Sequence, residues 1–274
     1  MSSTKVGVFV DVTHLVSNGG FGMRFEVLRR FACRGGAEPM RLNAYVSFDP
    51  ERAENDQEYR YGQFRFHNAL RDIGFKVIRK DVKWYSDEKG TRYGKANVDL
   101  DLAVDALTQS ESLDRVILAT GDGDFVRVVH ALQARGCRVE VLGFDNVAGS
   151  LRNEADQFVS GYLIPNLLPV ERANGKSWGE MDSYVRGICY AYDGLKGFGW
   201  LRYLKKVDGE LWRTDSRDPM SPYDTIFCHG SEFPAWVDTN SLPNRNLVVE
   251  FQIAAGMEDG KLRAIDLEVV RART

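Results

Sequence analysis

Cysteine is scarce in this chain, and its four copies, Cys33, Cys137, Cys189 and Cys228, stand far apart with no CxxC pair. That spacing excludes a zinc cluster built on paired thiolates. In a chain of 274 residues it also argues against a disulfide framework. Reduced thiols in a cytoplasmic protein are the expectation. Long apolar runs are lacking too. Residues 6–10 are too few for a secretory signal core, and no stretch reaches the ~18 apolar residues of a membrane span. Positive charge is not in excess either: 36 Lys and Arg face 39 Asp and Glu, for a formal net charge of −3. A strongly basic protein that coats phosphate backbones is therefore excluded. An enzyme that holds a cation with carboxylates is not.

What is present suits a globular protein with a full core, 43% hydrophobic and 27% charged residues, and room for about two domains. The first part alternates strands with helices. Residues 6–10 form an apolar run ending in Asp11, as a buried parallel strand would. Helical spacing follows over 23–33, 59–73, 98–108 and 125–135, and short apolar strands over 42–48, 75–78, 115–119 and 138–142. The segment 86–95, polar and punctuated by glycine, reads as a loop. The alternation predicts an α/β domain over residues 1–170, with an open, mostly parallel sheet covered by helices on both faces. Pro165 and Pro169 bracket a short tail, and residues 171–182, ERANGKSWGEMD, polar and glycine-containing, read as a linker. Over 183–274 short strands and turns rich in aromatics predict a small all-β barrel.

In an open parallel sheet ligands bind beyond the carboxyl ends of the strands. Asp11 follows the first strand, and Asp122 and Asp124 follow the strand over 115–119 in Thr120-Gly121-Asp122-Gly123-Asp124-Phe125. Asp99 opens the helix over 98–108. Three segments thus bring carboxylates to one rim, where they repel unless some protonate or a cation joins them. Mg²⁺ or Mn²⁺, with its preference for oxygen ligands, meets that need and can polarise a phosphodiester. Gly121 and Gly123 would allow a tight turn and leave space for substrate. Each aspartate also has an ordinary reading: Asp99 and Asp124 precede helices and suit N-capping, and Asp11 suits a turn.

Three segments are similar to the signature segments of NYN domains, of the LabA-like branch. They are Val8-Phe9-Val10-Asp11, Lys95-Ala96-Asn97-Val98-Asp99 leading to Asp105, and Leu118-Ala119-Thr120-Gly121-Asp122-Gly123-Asp124-Phe125. Leu151-Arg152-Asn153-Glu154-Ala155-Asp156-Gln157-Phe158 resembles the closing helix of that branch, so the likeness runs over about residues 5–165. The resemblance implies a PIN-like nuclease fold and ribonuclease chemistry, with Asp11, Asp99, Asp122 and Asp124 as the acidic, Mg²⁺- or Mn²⁺-holding residues. Asp105 lies on a different helical face from Asp99, and Asp101 shares the face of Asp105. One departure stands out. Where the family often has Asp-Gly-x-Asn, this chain has Asp11-Val12-Thr13-His14, so His14 either replaces the asparagine as a donor or is a plain loop histidine.

In the β-rich part, Phe198 and Trp200 alternate on one strand and Phe227 and His229 on another, so each pair shares a face. Such rings either fill the barrel core or form a platform on which unpaired bases stack, with Lys196 and Arg202 near enough to meet phosphates. Lys196-Gly197-Phe198-Gly199-Trp200-Leu201 and Ile226-Phe227-Cys228-His229 resemble the two RNA-binding motifs of the cold-shock domain, an OB-fold barrel. The resemblance implies nucleic-acid binding by Lys196, Phe198, Trp200, Phe227 and His229. It departs at Tyr190 and Ala191, where lysine and tryptophan are expected, and at a long insert over 205–223 that carries Trp212.

Together these features lead to the expectation of a cytoplasmic, divalent-metal-dependent ribonuclease acting on single-stranded RNA, with single-stranded DNA as a further partner and no membrane association. The other reading is a regulator that binds RNA without turnover. A dehalogenase-like phosphatase would need a second aspartate where Thr13 stands, and Gly19-Gly20-Phe21-Gly22 lacks dinucleotide-binding spacing.

Overall fold

The computed structural model describes residues 3–87, 90–256 and 260–270. The chain opens with strand β1 (Lys5–Asp11), helices α1 (Val12–Leu15) and α2 (Phe25–Ala32), and strand β2 (Glu38–Phe48). Helices α3 (Pro50–Asn55) and α4 (Gln57–Asp72) lead to β3 (Lys76–Asp81), β4 (Lys83–Ser86), β5 (Arg92–Lys95) and helix α5 (Val98–Thr108). Then come β6 (Arg115–Ala119), α6 (Val126–Ala134), β7 (Arg138–Gly143), α7 (Gly149–Glu154) and β8 (Gln157–Ser160). Five strands close the chain: β9 (Tyr184–Asp193), β10 (Phe198–Leu204), β11 (Tyr223–His229), β12 (Asn244–Ala255) and β13 (Leu262–Val269). Two compact units result, Met1–Phe21 with Gly36–Val159, and Gly22–Gly35 with Ser160–Thr274.

The first unit is built on a six-stranded sheet in the order β3-β2-β1-β6-β7-β8. Strands β1 and β2, β2 and β3, β1 and β6, and β6 and β7 all pair in parallel. The chain winds outward from β1 through β2 and β3, then returns to β6 on the other side of β1. That reversal opens a crevice beyond the carboxyl ends of β1 and β6, the general ligand position in such sheets. Strand β1 is central and buried on both faces, which explains its unbroken apolar run. Its Phe9 packs with Tyr45, Leu102, Leu118, Phe125 and Val141 in one core.

Two segments differ from the sequence expectation. Residues 86–95 contribute to an antiparallel hairpin, in which Tyr85 lies opposite Tyr93. Asp87 closes the turn by taking the Thr91 N–H on its side chain (2.7 Å) and the Gly90 N–H on its carbonyl (3.0 Å). The glycine that suggested a loop is thus the turn of a ribbon whose strands hold β-favouring Trp84, Tyr85 and Tyr93. Further on, the expected closing helix stops at Glu154, and Gln157–Ser160 becomes the last strand of the sheet.

The second unit holds a closed barrel in the order β10-β11-β13-β12-β9, consistent with an OB-fold. Its one parallel pairing among the described residues joins β11 to β13, and the other pairings are antiparallel. Val185, Leu201, Tyr203, Ile226, Val249, Phe251 and Leu267 fill the interior. Helix α2 belongs to this unit. The Arg24 N–H ahead of it donates to the Leu167 carbonyl (2.8 Å), and the Gly35 N–H behind it donates to Asp208 (2.7 Å). The stretch 171–182 lies along the barrel, with Arg172 paired to Glu250 (3.1 Å) and the Trp178 Nε1–H donating to the Leu204 carbonyl (2.7 Å). Among the described residues no helix is long and apolar enough to cross a membrane.

Candidate functional site

Asp11 ends β1 at the crevice and is buried, 3% exposed. Its Oδ1 accepts the His14 N–H (2.9 Å), which caps α1. Burial, and to a lesser degree the charges of Asp99 and Asp122, push its carboxyl from an ordinary 3.8 up to about 6, against the His14 N–H. Asp99 is raised as well, by desolvation first and then by Asp122 and Asp124, while a side-chain hydrogen bond with Asp11 opposes the shift. Asp122 takes the Asp124 N–H on its own Oδ1 (2.9 Å). Asp11 therefore lies within the fields of Asp99 and Asp122, and Asp99 within those of Asp122 and Asp124.

Capping falls to other aspartates than local sequence suggests. Asn97 stands at the cap of α5, leaving Asp99 inside its first turn, and Phe125 stands at the cap of α6. Asp11 and Asp122 do the capping, while the carboxylates of Asp99 and Asp124 are left to the crevice. The glycines differ from expectation too. Neither Gly121 nor Gly123 adopts a left-handed backbone. A Cβ on Gly121 would lie 2.7 Å from His14 Nε2, and one on Gly123 would lie 3.1 Å from Ala148 Cβ. The space they leave is filled by protein, mostly by the His14 ring.

His14 thus lies in the cluster, with its N–H on Asp11 and its ring over Gly121. Its Nε2 is buried without a hydrogen-bond partner among the described residues. The surrounding turn is pinned: Asn18 Nδ2 donates to the His14 carbonyl (2.8 Å), and Asn146 Nδ2 donates to Asn18 Oδ1 (2.8 Å). Nothing local in the sequence marks Asn18 or Asn146, which are 128 residues apart. The two other acidic residues of α5 have partners of their own. Lys80 holds Asp101 (2.6 Å), and the buried Tyr45 donates its hydroxyl to Asp105 (2.8 Å), so both anchor the helix that carries Asp99.

Among the described residues no three His, Cys, Asp or Glu side chains close into a ready-made metal cage. Mg²⁺ typically keeps several waters and needs only one or two carboxylates. An all-oxygen set with one buried carboxyl, raised by desolvation and by neighbouring carboxylates, fits such an ion, because a cation offsets both.

On the barrel, Phe198, Trp200, Phe227 and His229 occupy the outer face, alternating with buried Leu201, Ile226 and Cys228. Register places Phe198 opposite His229 and Trp200 opposite Phe227. Phe227 is the hub, with its ring centroid 5.5 Å from Phe198 and 5.9 Å from Trp200 in edge-to-face contact. Trp200 is 41% exposed, so the rings are a surface and not core. His229 is fixed by Ser231 (Nδ1 to Oγ, 2.8 Å). Lys196 sits in the β9–β10 turn, its side chain 70% exposed, 3.8 Å from Asp193. Gly197 is left-handed in that turn (φ 70°), whereas Gly199 faces inward, where a Cβ would stand 2.4 Å from the Ala191 carbonyl oxygen. Tyr190, in the place of the expected lysine, is exposed and lies against Arg202 (5.5 Å), which also covers Tyr223 (5.1 Å). Trp212 in the insert stacks under Arg213 (4.6 Å), and no described contact joins its ring to the platform.

The family model of the NYN domain matches residues 5–167. The chain is 30% identical over 164 residues to Low amplitude and bright protein LabA of Synechococcus elongatus, covering 57% of this chain and 83% of that protein. A solved structure of a protein of unknown function from Vibrio parahaemolyticus is 28% identical, covering 58% of this chain and 96% of its own, with a TM-score of 0.45.

Proposed function

Because the chain belongs to the NYN domain family, we propose that it is a divalent-metal-dependent ribonuclease that hydrolyses phosphodiester bonds of single-stranded RNA. The observation that carries this reading is the buried Asp11 carboxyl, raised to about 6 and hydrogen-bonded to Asp99 among further carboxylates. A structural role alone gives no return for that crowding. Asp11, Asp99, Asp122 and Asp124 would hold Mg²⁺ or Mn²⁺, which when bound supplies Lewis-acid activation of the phosphodiester and of water.

The chain's own groups do the remaining work. Asp11 and Asp99, both raised by desolvation and by neighbouring carboxylates, would be eased by a bound cation. His14 Nε2, buried over Gly121 with no hydrogen-bond partner among the described residues, is a polar atom able to orient water or substrate beside them. Phe198, Trp200 and Phe227 offer faces and edges on which bases stack, and Lys196 and His229 flank them for phosphate contact. Covalent linkage of barrel to crevice raises the local concentration of substrate even where the barrel binds weakly.

The test uses end-labelled single-stranded RNA in Mn²⁺, in Mg²⁺ and in EDTA, beside an Asp11→Asn/Asp122→Asn double variant. Cleavage that needs metal and is lost in the variant supports the nuclease. Intact RNA throughout, with a gel shift that survives in the variant and is lost in Phe198→Ala, supports a binding regulator. The departure from the family pattern at Asp11-Val12-Thr13-His14 is the feature that favours that second reading.

A further inference from the structure

The ribbon of β4 and β5 is exposed at all eight of its residues. Two-stranded ribbons of this length are marginal in water by themselves. Here one face supplies the anchor. Trp84 Nε1–H donates to Asp49 (3.3 Å), Arg92 pairs with Glu51, and the Arg92 guanidinium lies 4.9 Å over the Trp84 ring. Gly94 opposite Trp84 makes room, since a Cβ there would stand 2.7 Å from Val82 and 3.3 Å from the indole.

The other face carries Lys83, Tyr85, Tyr93 and Lys95, by the strict alternation of a strand. Tyr85 and Tyr93 are cross-strand neighbours stacked 5.9 Å apart at 28°, and they are 47% and 50% exposed. Lys83 lies directly opposite Lys95. Like charges in that position destabilise a ribbon, and neither lysine has an ion pair among the described residues. A tyrosine pair can serve to hold a hairpin together, but hairpin stability gives no account of two facing lysines beside it, without ion pairs among the described residues. A polyanion with flat, unpaired bases answers both features: its phosphates relieve the lysines and its bases stack on the rings.

The ribbon runs directly into the crevice. Lys95 is four residues before Asp99, a span of at most about 14 Å. We infer that the Lys83–Tyr85–Tyr93–Lys95 face is a binding platform for single-stranded RNA that leads the strand to the Asp11–Asp99 crevice. The role as a guide to that crevice rests on the ribonuclease reading, whereas the platform itself does not.

The test has two arms on the full chain. In EDTA, a single-stranded RNA bearing photoreactive 4-thiouridines is crosslinked and the peptides are mapped by mass spectrometry. In Mn²⁺, KM and kcat are measured for wild type, Tyr85→Ala/Tyr93→Ala, Tyr85→Phe/Tyr93→Phe and Lys83→Gln/Lys95→Gln. Crosslinks should fall on the ribbon peptide. The alanine pair should raise KM about tenfold or more with kcat changed less than about twofold, and the phenylalanine pair should restore it. The glutamine pair should lower the log–log salt slope of binding by roughly 1.4. Melting temperatures should stay within a few degrees of wild type, since each cross-strand pair on this exposed face is worth at most about 1 kcal/mol. Cleaving protein with no ribbon crosslink and unchanged KM overturns the platform and leaves the nuclease. Ribbon crosslinks in a protein that cleaves nothing keep the platform and overturn the nuclease. Crosslinks to single-stranded DNA but not to RNA also overturn the inference.

Discussion

The acidic crevice of the first unit and the aromatic face of the barrel are built on opposite principles. The crevice buries a carboxyl among like charges, so its ionisation is opposed first by desolvation and then by repulsion. The barrel face has its rings already in mutual contact, Phe227 touching both Phe198 and Trp200, and nothing in it opposes folding. Tension of the first kind marks chemistry, because stability has been given up locally for a charge arrangement. Relaxed exposure of the second kind marks recognition, which needs only an accessible surface.

Four perturbations probe that contrast, beside the ribbon variants. The largest effect belongs to the crevice. Asp11→Asn/Asp122→Asn should reduce metal-dependent RNA cleavage by roughly a thousandfold, on the scale of losing a principal electrostatic contribution at a reaction centre. Retained cleavage would move the chemistry elsewhere.

The same tension should be visible without any substrate. Folded Asp11 keeps its proton up to about pH 6, whereas the unfolded chain releases it near 3.8. A raised carboxyl favours folding least where the unfolded state is ionised, so metal-free stability from this group is highest below pH 3.8. It falls as pH rises from 3.8 to about 6 and stays low above that. Asp11→Asn should therefore stabilise the metal-free protein at pH 8 by up to about 3 kcal/mol and change little near pH 3.5. Denaturant melts at the two pH values check this, and a gain equal at both would remove the electrostatic account. The asparagine side chain can still take the His14 N–H, so the cap is retained.

On the relaxed face, Phe198→Ala should weaken single-stranded RNA binding by about 1–3 kcal/mol, read by anisotropy in EDTA. Its melting temperature should stay near wild type, in contrast to the crevice variant. Smallest is Tyr45→Phe, which removes the hydroxyl that Asp105 accepts and should cost about 1 kcal/mol of stability. A cleavage loss well beyond that would make the Tyr45–Asp105 bond a positioning contact for Asp99.

How much could be read in advance differs between the two regions for a physical reason. On the barrel, strand alternation alone puts Phe198 with Trp200 and Phe227 with His229, and register then joins the pairs. In the first unit, the strand ends of β1 and β6 place Asp11 and Asp122 at one rim. Local propensity assigns the caps to Asp99 and Asp124, where the folded chain uses Asp11 and Asp122. The aromatic–basic ribbon reads as a loop because a closing glycine looks the same in both.

The amino-acid sequence by itself determined the α/β unit, the barrel, the family and which aspartates stand at strand and helix ends, because periodicity and strand-end position are local properties of the chain. Only the tertiary structure decided that Asp11 is buried against Asp99, that His14 fills the space over Gly121, and that Asp101 and Asp105 serve as anchors. Those depend on desolvation and on contacts between segments distant along the chain, which no local pattern carries.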